Sequence, residues 1–117
     1  DQTIRCFTDG ANEVNVSTDY RYSRVGGLYN GALQYIGGKT SVNGLNGNID
    51  EFAVWNSDQS ANATTIYNSG VPNDLSSLSP VSYWRFEGTG TTATDSGSGG
   101  NNGTLTNGVT RSSDVPT

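Results

Sequence analysis

The sequence predicts an all-β, antiparallel sandwich with one short helix, and three observations predict it. Five Asn-Gly pairs, at 30–31, 43–44, 46–47, 102–103 and 107–108, punctuate a chain of 117 residues that holds 16 glycines. Asn-Gly is the dipeptide that tight hairpins prefer, because both turn residues need positive φ. Between these turns the apolar residues come in short runs with a two-residue period, and a single segment shows helical spacing. Hydrophobic residues make up only 32% of the chain, so the core has to be thin and built from aromatics, which bury the most surface per residue.

Residues 3–8 and 12–17 read as two strands around Asp9-Gly10. A two-residue loop would set Phe7 against Val14 and Val16; a three-residue loop, 9–11, lines up Ile4, Cys6, Val14 and Val16. The second register buries the larger apolar face and is the one expected. Residues 18–31 form a loop bearing Tyr20, Tyr22 and Tyr29, and 32–36 a strand that contains Tyr35 and is stopped by Gly37-Gly38. A polar connector, 39–47, follows.

The stretch 47–55 (GNIDEFAVW) is the longest run with strand character, and the rest of the chain is organised around it. Phe52 and Val54 share one face of an ideal strand; Ile49, Ala53 and Trp55 share the other. An unbroken strand would bury Asp50 or Glu51, whichever face turned inward, and an unpaired buried carboxylate is costly. A bulge or an irregular start near Asp50 and Glu51 is therefore expected, with Phe52 and Val54 in phase beyond it. The helix comes next: Ser60 is a good N-cap, Ala63, Ile66 and Tyr67 fall on one edge, and Gly70 with Pro72 ends it. Two turns cannot be stable alone and must dock by that edge. Residues 73–80 read as a linker, and 81–87 as a strand with Trp84 and Phe86 on one face. The expected core is Trp84 and Phe86 with Phe52 and Val54, facing Ile66. Residues 88–103 are rich in Gly, Ser and Thr, Thr104-Leu105 reads as a last short strand, and 109–117 as a tail. The whole chain, 1–117, is one domain's worth of sequence.

Charge and composition exclude several functions. The net charge is −5, and the six basic residues are scattered at 5, 21, 24, 39, 85 and 111, which leaves no basic stripe for nucleic-acid phosphates. No run of about 18 apolar residues exists to span a membrane. Histidine is absent and Cys6 is the only cysteine, so the chain has no internal disulfide, no Cys/His nucleophile pair and no multi-cysteine zinc site.

Several motifs together resemble the laminin-G-like, concanavalin-A-like jelly-roll domains of bacterial and marine-phage surface proteins. They are FTDG (7–10), LQYIGG (33–38), NGNIDEFAVWN (46–56) with the helix ending in IYNSG (66–70), and the tryptophan strand with its glycine loop, YWRFEGTGTTATDSGSGGNNGTLTNG (83–108). They cover about two-thirds of the chain. The resemblance implies an antiparallel jelly-roll-like β-sandwich. It also implies a non-enzymatic structural or attachment module of a phage virion or extracellular surface assembly, located on the virion surface or outside the cell. A carbohydrate-binding, lectin-like domain is the alternative. The back-end motifs here precede the front-end motif, and the usual middle strands are missing. The chain is therefore expected to be incomplete or rearranged as a jelly roll, and to sit in a homo-oligomer or among other protein subunits that cover its open edges.

Three sets of residues are candidates for chemistry or contact. Asp50 and Glu51 are the one adjacent pair of acids. Neighbours on a strand point to opposite faces, so they do not flank a glycosidic bond as paired catalytic carboxylates do. The expectation is structural, Asp50 bonding turn amides and Glu51 reaching solvent or an arginine, and no enzyme activity. Asp95, Asn101 and Asn102 carry oxygens of the kind Ca²⁺ takes, and laminin-G-like relatives often hold calcium; Gly97 and Gly99 stand where an EF-hand-type loop would place ligands. Tyr20, Tyr22, Tyr29 and Tyr35 offer a contact surface for a sugar or a protein, Tyr pairing an apolar face with a polar tip. Asp50, Trp55, Trp84 and Phe86 are the expected structural positions.

Overall fold

The computed structural model describes residues 3–17, 35–38 and 44–114. Among these the chain forms three separate two-stranded antiparallel ladders: β1 (Thr3–Thr8) with β2 (Ala11–Ser17), β3 (Phe52–Val54) with β4 (Ser82–Trp84), and β5 (Thr92–Ala93) with β6 (Gly103–Thr104). The described residues do not form the expected jelly-roll sandwich. β3 to β6 are two or three residues long, too short to stack into two facing sheets, and turns and side-chain bonds do the work that long ladders do in a sandwich.

The β1–β2 hairpin turns on Asp9-Gly10, with Thr8 opposite Ala11. Both turn residues have left-handed φ, 51° and 72°, as the tight turns that match strand twist require. The connection is thus two residues long, not three. The register nevertheless shifts between Cys6 and Phe7, which leaves Glu13 as an extra residue and puts Ile4 opposite Val16 and Cys6 opposite Val14. A bulge does what the longer loop was expected to do. Of the strand expected at 32–36, residues 32–34 lie outside the described residues, and Tyr35 and Ile36 belong to no strand.

The stretch at 47–55 breaks where the misplaced acids required. Glu51 sits at φ 50°, and β3 begins immediately after it. Phe52 then pairs with Trp84, their ring centroids 5.9 Å apart, while Ala53 faces Tyr83 and Val54 faces Ser82. The expected core is corrected on three counts. Val54 is exposed, and β4 ends at Trp84 because Phe86 has left-handed φ (57°), which takes it off the face of Trp84. Ile66 packs elsewhere, toward the hairpin turn. The buried apolar residues are instead Leu75, Tyr83, Trp84 and Ala93.

β4 is buried along its length and is flanked on both edges. β3 pairs with one edge, and on the other the glycine loop runs alongside, with Ser96 and Gly99 donating N–H bonds to the carbonyls of Tyr83 (2.8 Å) and Val81 (2.7 Å). The helical segment is a 3₁₀ turn, Ser60–Asn62, running into α1 (Ala63–Tyr67), and it closes through Asn68, Ser69 and Gly70, all at positive φ. Ser60 is not its cap. Asp58 accepts the Ser60 N–H at 2.8 Å, an Asx turn placed two residues upstream. The segment read as a linker, 73–80, holds a 3₁₀ turn, Ser76–Leu78, and buries Leu75. The tail docks at least to Arg111, whose guanidinium donates to the carbonyls of Gly90 (3.1 Å), Thr92 (2.6 Å) and Phe86.

Candidate functional site

The glycine loop comes together around one carboxylate. Asp95 is 7% exposed, and its Oδ1 accepts N–H bonds from Tyr83 (2.7 Å) and Gly97 (2.8 Å) while its Oδ2 accepts that of Asn101 (2.7 Å). Burial alone would raise its pKa; the amides of Tyr83, Asn101 and Gly97, with the Ser82 hydroxyl, outweigh that and hold it below the ordinary carboxylate value. Asn102 closes the knot by accepting the Asp95 N–H through Oδ1 at 2.9 Å. Asn101 donates its side-chain amide to Ser82 Oγ (3.2 Å) and offers its carbonyl to the Trp84 indole N–H (3.0 Å). The backbone lies so close to β4 that a Cβ on Gly97 would stand 2.5 Å from the Val81 carbonyl oxygen.

Asp95, Asn101 and Asn102, the calcium candidates, are thus brought together, but around amide hydrogens. Both carboxylate oxygens face N–H groups, whose positive ends oppose a cation, and Ca²⁺ takes six to eight oxygen ligands. Among the described residues no group of three or more His, Cys, Asp or Glu side chains is placed to hold a metal ion.

A second polar cluster sits under β3 and β4. The Tyr83 hydroxyl, on a residue with no exposed surface, accepts the Leu75 N–H at 3.0 Å and donates to the Glu51 carboxylate, with the Asn73 carbonyl 3.1 Å away. Burial, then the Glu51 carboxylate, push the Tyr83 pKa up to about 12. The other oxygen of Glu51 accepts from Arg85 Nε at 3.2 Å, and Arg85 also reaches Asp74 at 3.4 Å. Asp50 accepts the Glu51 N–H at 3.0 Å. The adjacent acids therefore hold structure: one caps a turn, the other anchors a buried tyrosine and an arginine. Trp55 does the same by donating its indole N–H to the Leu78 carbonyl at 3.0 Å.

An open groove of about 630 Å³ lies where the hairpin turn meets the helical segment. Gly10 packs on the Tyr67 ring so closely that a Cβ there would stand 2.9 Å from Tyr67 Cδ1. Phe7, Ile66 and Tyr67 supply apolar wall, and Asp9, Asp58 and Gln59 supply polar groups. Gln59 is itself braced, donating to Ser57 Oγ (2.9 Å) and accepting from Asn62 Nδ2 (2.7 Å). Sequence reasoning missed this groove. Its two walls are some fifty residues apart in the chain, and the only signal was the unpartnered apolar edge of the helix. Of the tyrosines expected to form a contact surface, Tyr35 is 51% exposed and away from the groove lining, and Tyr20, Tyr22 and Tyr29 lie outside the described residues.

No protein-family model matches the chain, and no curated protein or solved structure matches it either. Among the described residues no helix is long and apolar enough to cross a membrane.

Proposed function

We propose that this chain is a non-enzymatic structural or attachment module of a surface assembly, of the phage-virion or bacterial extracellular kind, working beside other protein subunits and copies of itself. The observation that carries the reading is the β1–β2 hairpin. It is the longest ladder, and among the described residues neither of its edges has a partner strand. A lone two-stranded hairpin is marginal in water, and an open edge is a template for a strand from a neighbouring chain. The likeness of 33–38 and 46–56 to surface-protein motifs supports the same setting.

The use made of the acids supports a role without catalysis. Glu51 is held by Tyr83 and Arg85, Asp50 by a turn amide and Asp95 by three backbone N–H groups, so each is committed to holding the fold. Reducing-sugar release from β-glucans and other plain polysaccharides is the check. The expected result is no release by the purified chain; release abolished by Asp50→Asn or Glu51→Gln, with the melting curve unchanged, would overturn the reading.

A further inference from the structure

We propose that Asn107-Gly108 is a site of spontaneous covalent modification, at which the asparagine cyclises and reopens as isoaspartate, and that this undocks the tail held by Arg111. The chain has five Asn-Gly pairs, and those at 46–47, 102–103 and 107–108 fall wholly within the described residues. The chemistry open to each is the same. The glycine backbone nitrogen, which has no side chain beside it, attacks the asparagine side-chain carbonyl carbon Cγ. An N–Cγ bond forms, the Cγ–Nδ2 bond breaks, and ammonia leaves with the proton given up by the glycine N–H. Water then opens the cyclic imide. Addition at Cγ leaves aspartate; addition at the main-chain carbonyl leaves isoaspartate, with the backbone running through Cβ and Cγ.

Surroundings separate the pairs. Asn102 is tied down, its Oδ1 accepting the Asp95 N–H at 2.9 Å, and Gly103 is held in β6 opposite Ala93. Attack there has to break both restraints. Asn107 and Gly108 are exposed, with left-handed φ of 55° and 84°, in a turn closed by the Val109 N–H on the Thr106 carbonyl at 3.2 Å, the long end of the hydrogen-bond range. A Cβ built on Gly108 meets nothing within 4 Å, so the nitrogen beside it lies in open space. Asn46-Gly47 is exposed as well, and Asn107 differs from it in consequence. The turn joins two anchors on one loop: the Leu105 N–H donates to Thr91 at 2.7 Å, and Arg111 donates to Gly90, Thr92 and Phe86. Each nitrogen of the guanidinium meets a different carbonyl, a fit that the rigid fork makes only from the right distance and angle. Isoaspartate at 107 adds a methylene to the backbone between the anchors and abolishes the left-handed turn. The guanidinium then no longer meets all three carbonyls.

The test is to age the full chain at neutral and at mildly alkaline pH, and to follow two readouts together. Peptide mapping measures isoaspartate at each Asn-Gly pair, and NMR follows the Arg111 Nε–H, which is bonded to Gly90 in the fresh chain. The expected result is isoaspartate at 107 that accumulates faster as pH rises, and that exceeds the amount at 102 by at least about tenfold after equal time. The slowly exchanging Arg111 Nε–H signal should fade in step with it. Two variants isolate the cause. Asn107→Gly removes the reacting amide and keeps the left-handed φ, so the Arg111 signal should persist on ageing. Asn107→Asp adds the charge without lengthening the backbone, so the signal should be present at the outset. An intact Asn107 in a chain whose other Asn-Gly pairs have reacted overturns the site. Equal conversion at 102 and 107 overturns the selection by the fold. Isoaspartate at 107 with the Arg111 signal unchanged, or loss of that signal in Asn107→Gly on the same schedule, overturns the undocking.

Discussion

Asp95 shows how much a single side chain carries in a chain this poor in apolar residues. Its carboxylate satisfies three backbone amides that would otherwise be orphaned between β4 and the glycine loop. Asp95→Asn turns an NH₂ toward those donors, and should cost about 3 kcal/mol in denaturant unfolding. Its pKa is lowered in the fold from an ordinary 3.8, so its contribution is present above that value and is lost as pH falls through the lower, folded one. Acid titration should show this as a loss of stability that begins below about pH 4 and is missing in Asp95→Asn. Tyr83 works with the opposite sign. Its folded pKa of about 12 exceeds the ordinary 10.0, so its stabilisation is complete below pH 10 and disappears between the two values. Tyrosinate absorbance should therefore include a late step that coincides with unfolding and is missing in Tyr83→Phe; identical titrations of the two proteins would refute the buried hydroxyl. The strand period showed that Asp50 or Glu51 had to leave the strand, but not that Glu51 would meet Tyr83. The bonds that tie Asp95 to β4 and Tyr83 to Leu75 and Glu51 were not legible, since their partners lie 12, 8 and 32 residues away.

At the scale of elements, the glycine loop behaves as a strand substitute. It lies along the free edge of β4, and Gly97 and Gly99 bring its backbone against Val81 and Ser82. Gly97→Ala puts a methyl 2.5 Å from the Val81 carbonyl oxygen, so the loop must lift and the Asp95 bonds lengthen. The expected loss is about 1–3 kcal/mol, with hydrogen exchange quickening at Tyr83 and Asn101; an unchanged melting curve would show that the loop does not pack there. The sequence marked the elements with strong local signals: the Asp9-Gly10 turn, the break at Glu51, the end of the helix at Gly70. It did not mark where 81–87 stops being a strand, because Phe86 continues the alternation while its backbone has already turned left-handed. Nor did it reveal Leu75, a lone leucine in a polar stretch, as core; in the fold it is buried and its N–H donates to the Tyr83 hydroxyl.

Across the whole molecule, turn chemistry and apolar alternation pointed to a β-rich chain but not to its architecture. A jelly roll needs strands long enough to span two sheets, and among the described residues the strands after β2 are two or three residues each. The alternation that suggested longer strands is spent instead on side chains that tie loops to carbonyls: Trp55 to Leu78, Trp84 to Asn101, Arg111 to Gly90 and Thr92. A chain held together this way has little core to spare and, among the described residues, a β1–β2 hairpin ladder with no partner strand on either edge. The central claim is that neighbouring subunits cover those edges. Sedimentation equilibrium of the isolated 117-residue chain across the micromolar range tests it most directly. The account predicts concentration-dependent association, reduced when a proline replaces Asn15 and disrupts the hairpin ladder; a monomer at every concentration that melts in one sharp transition would contradict it.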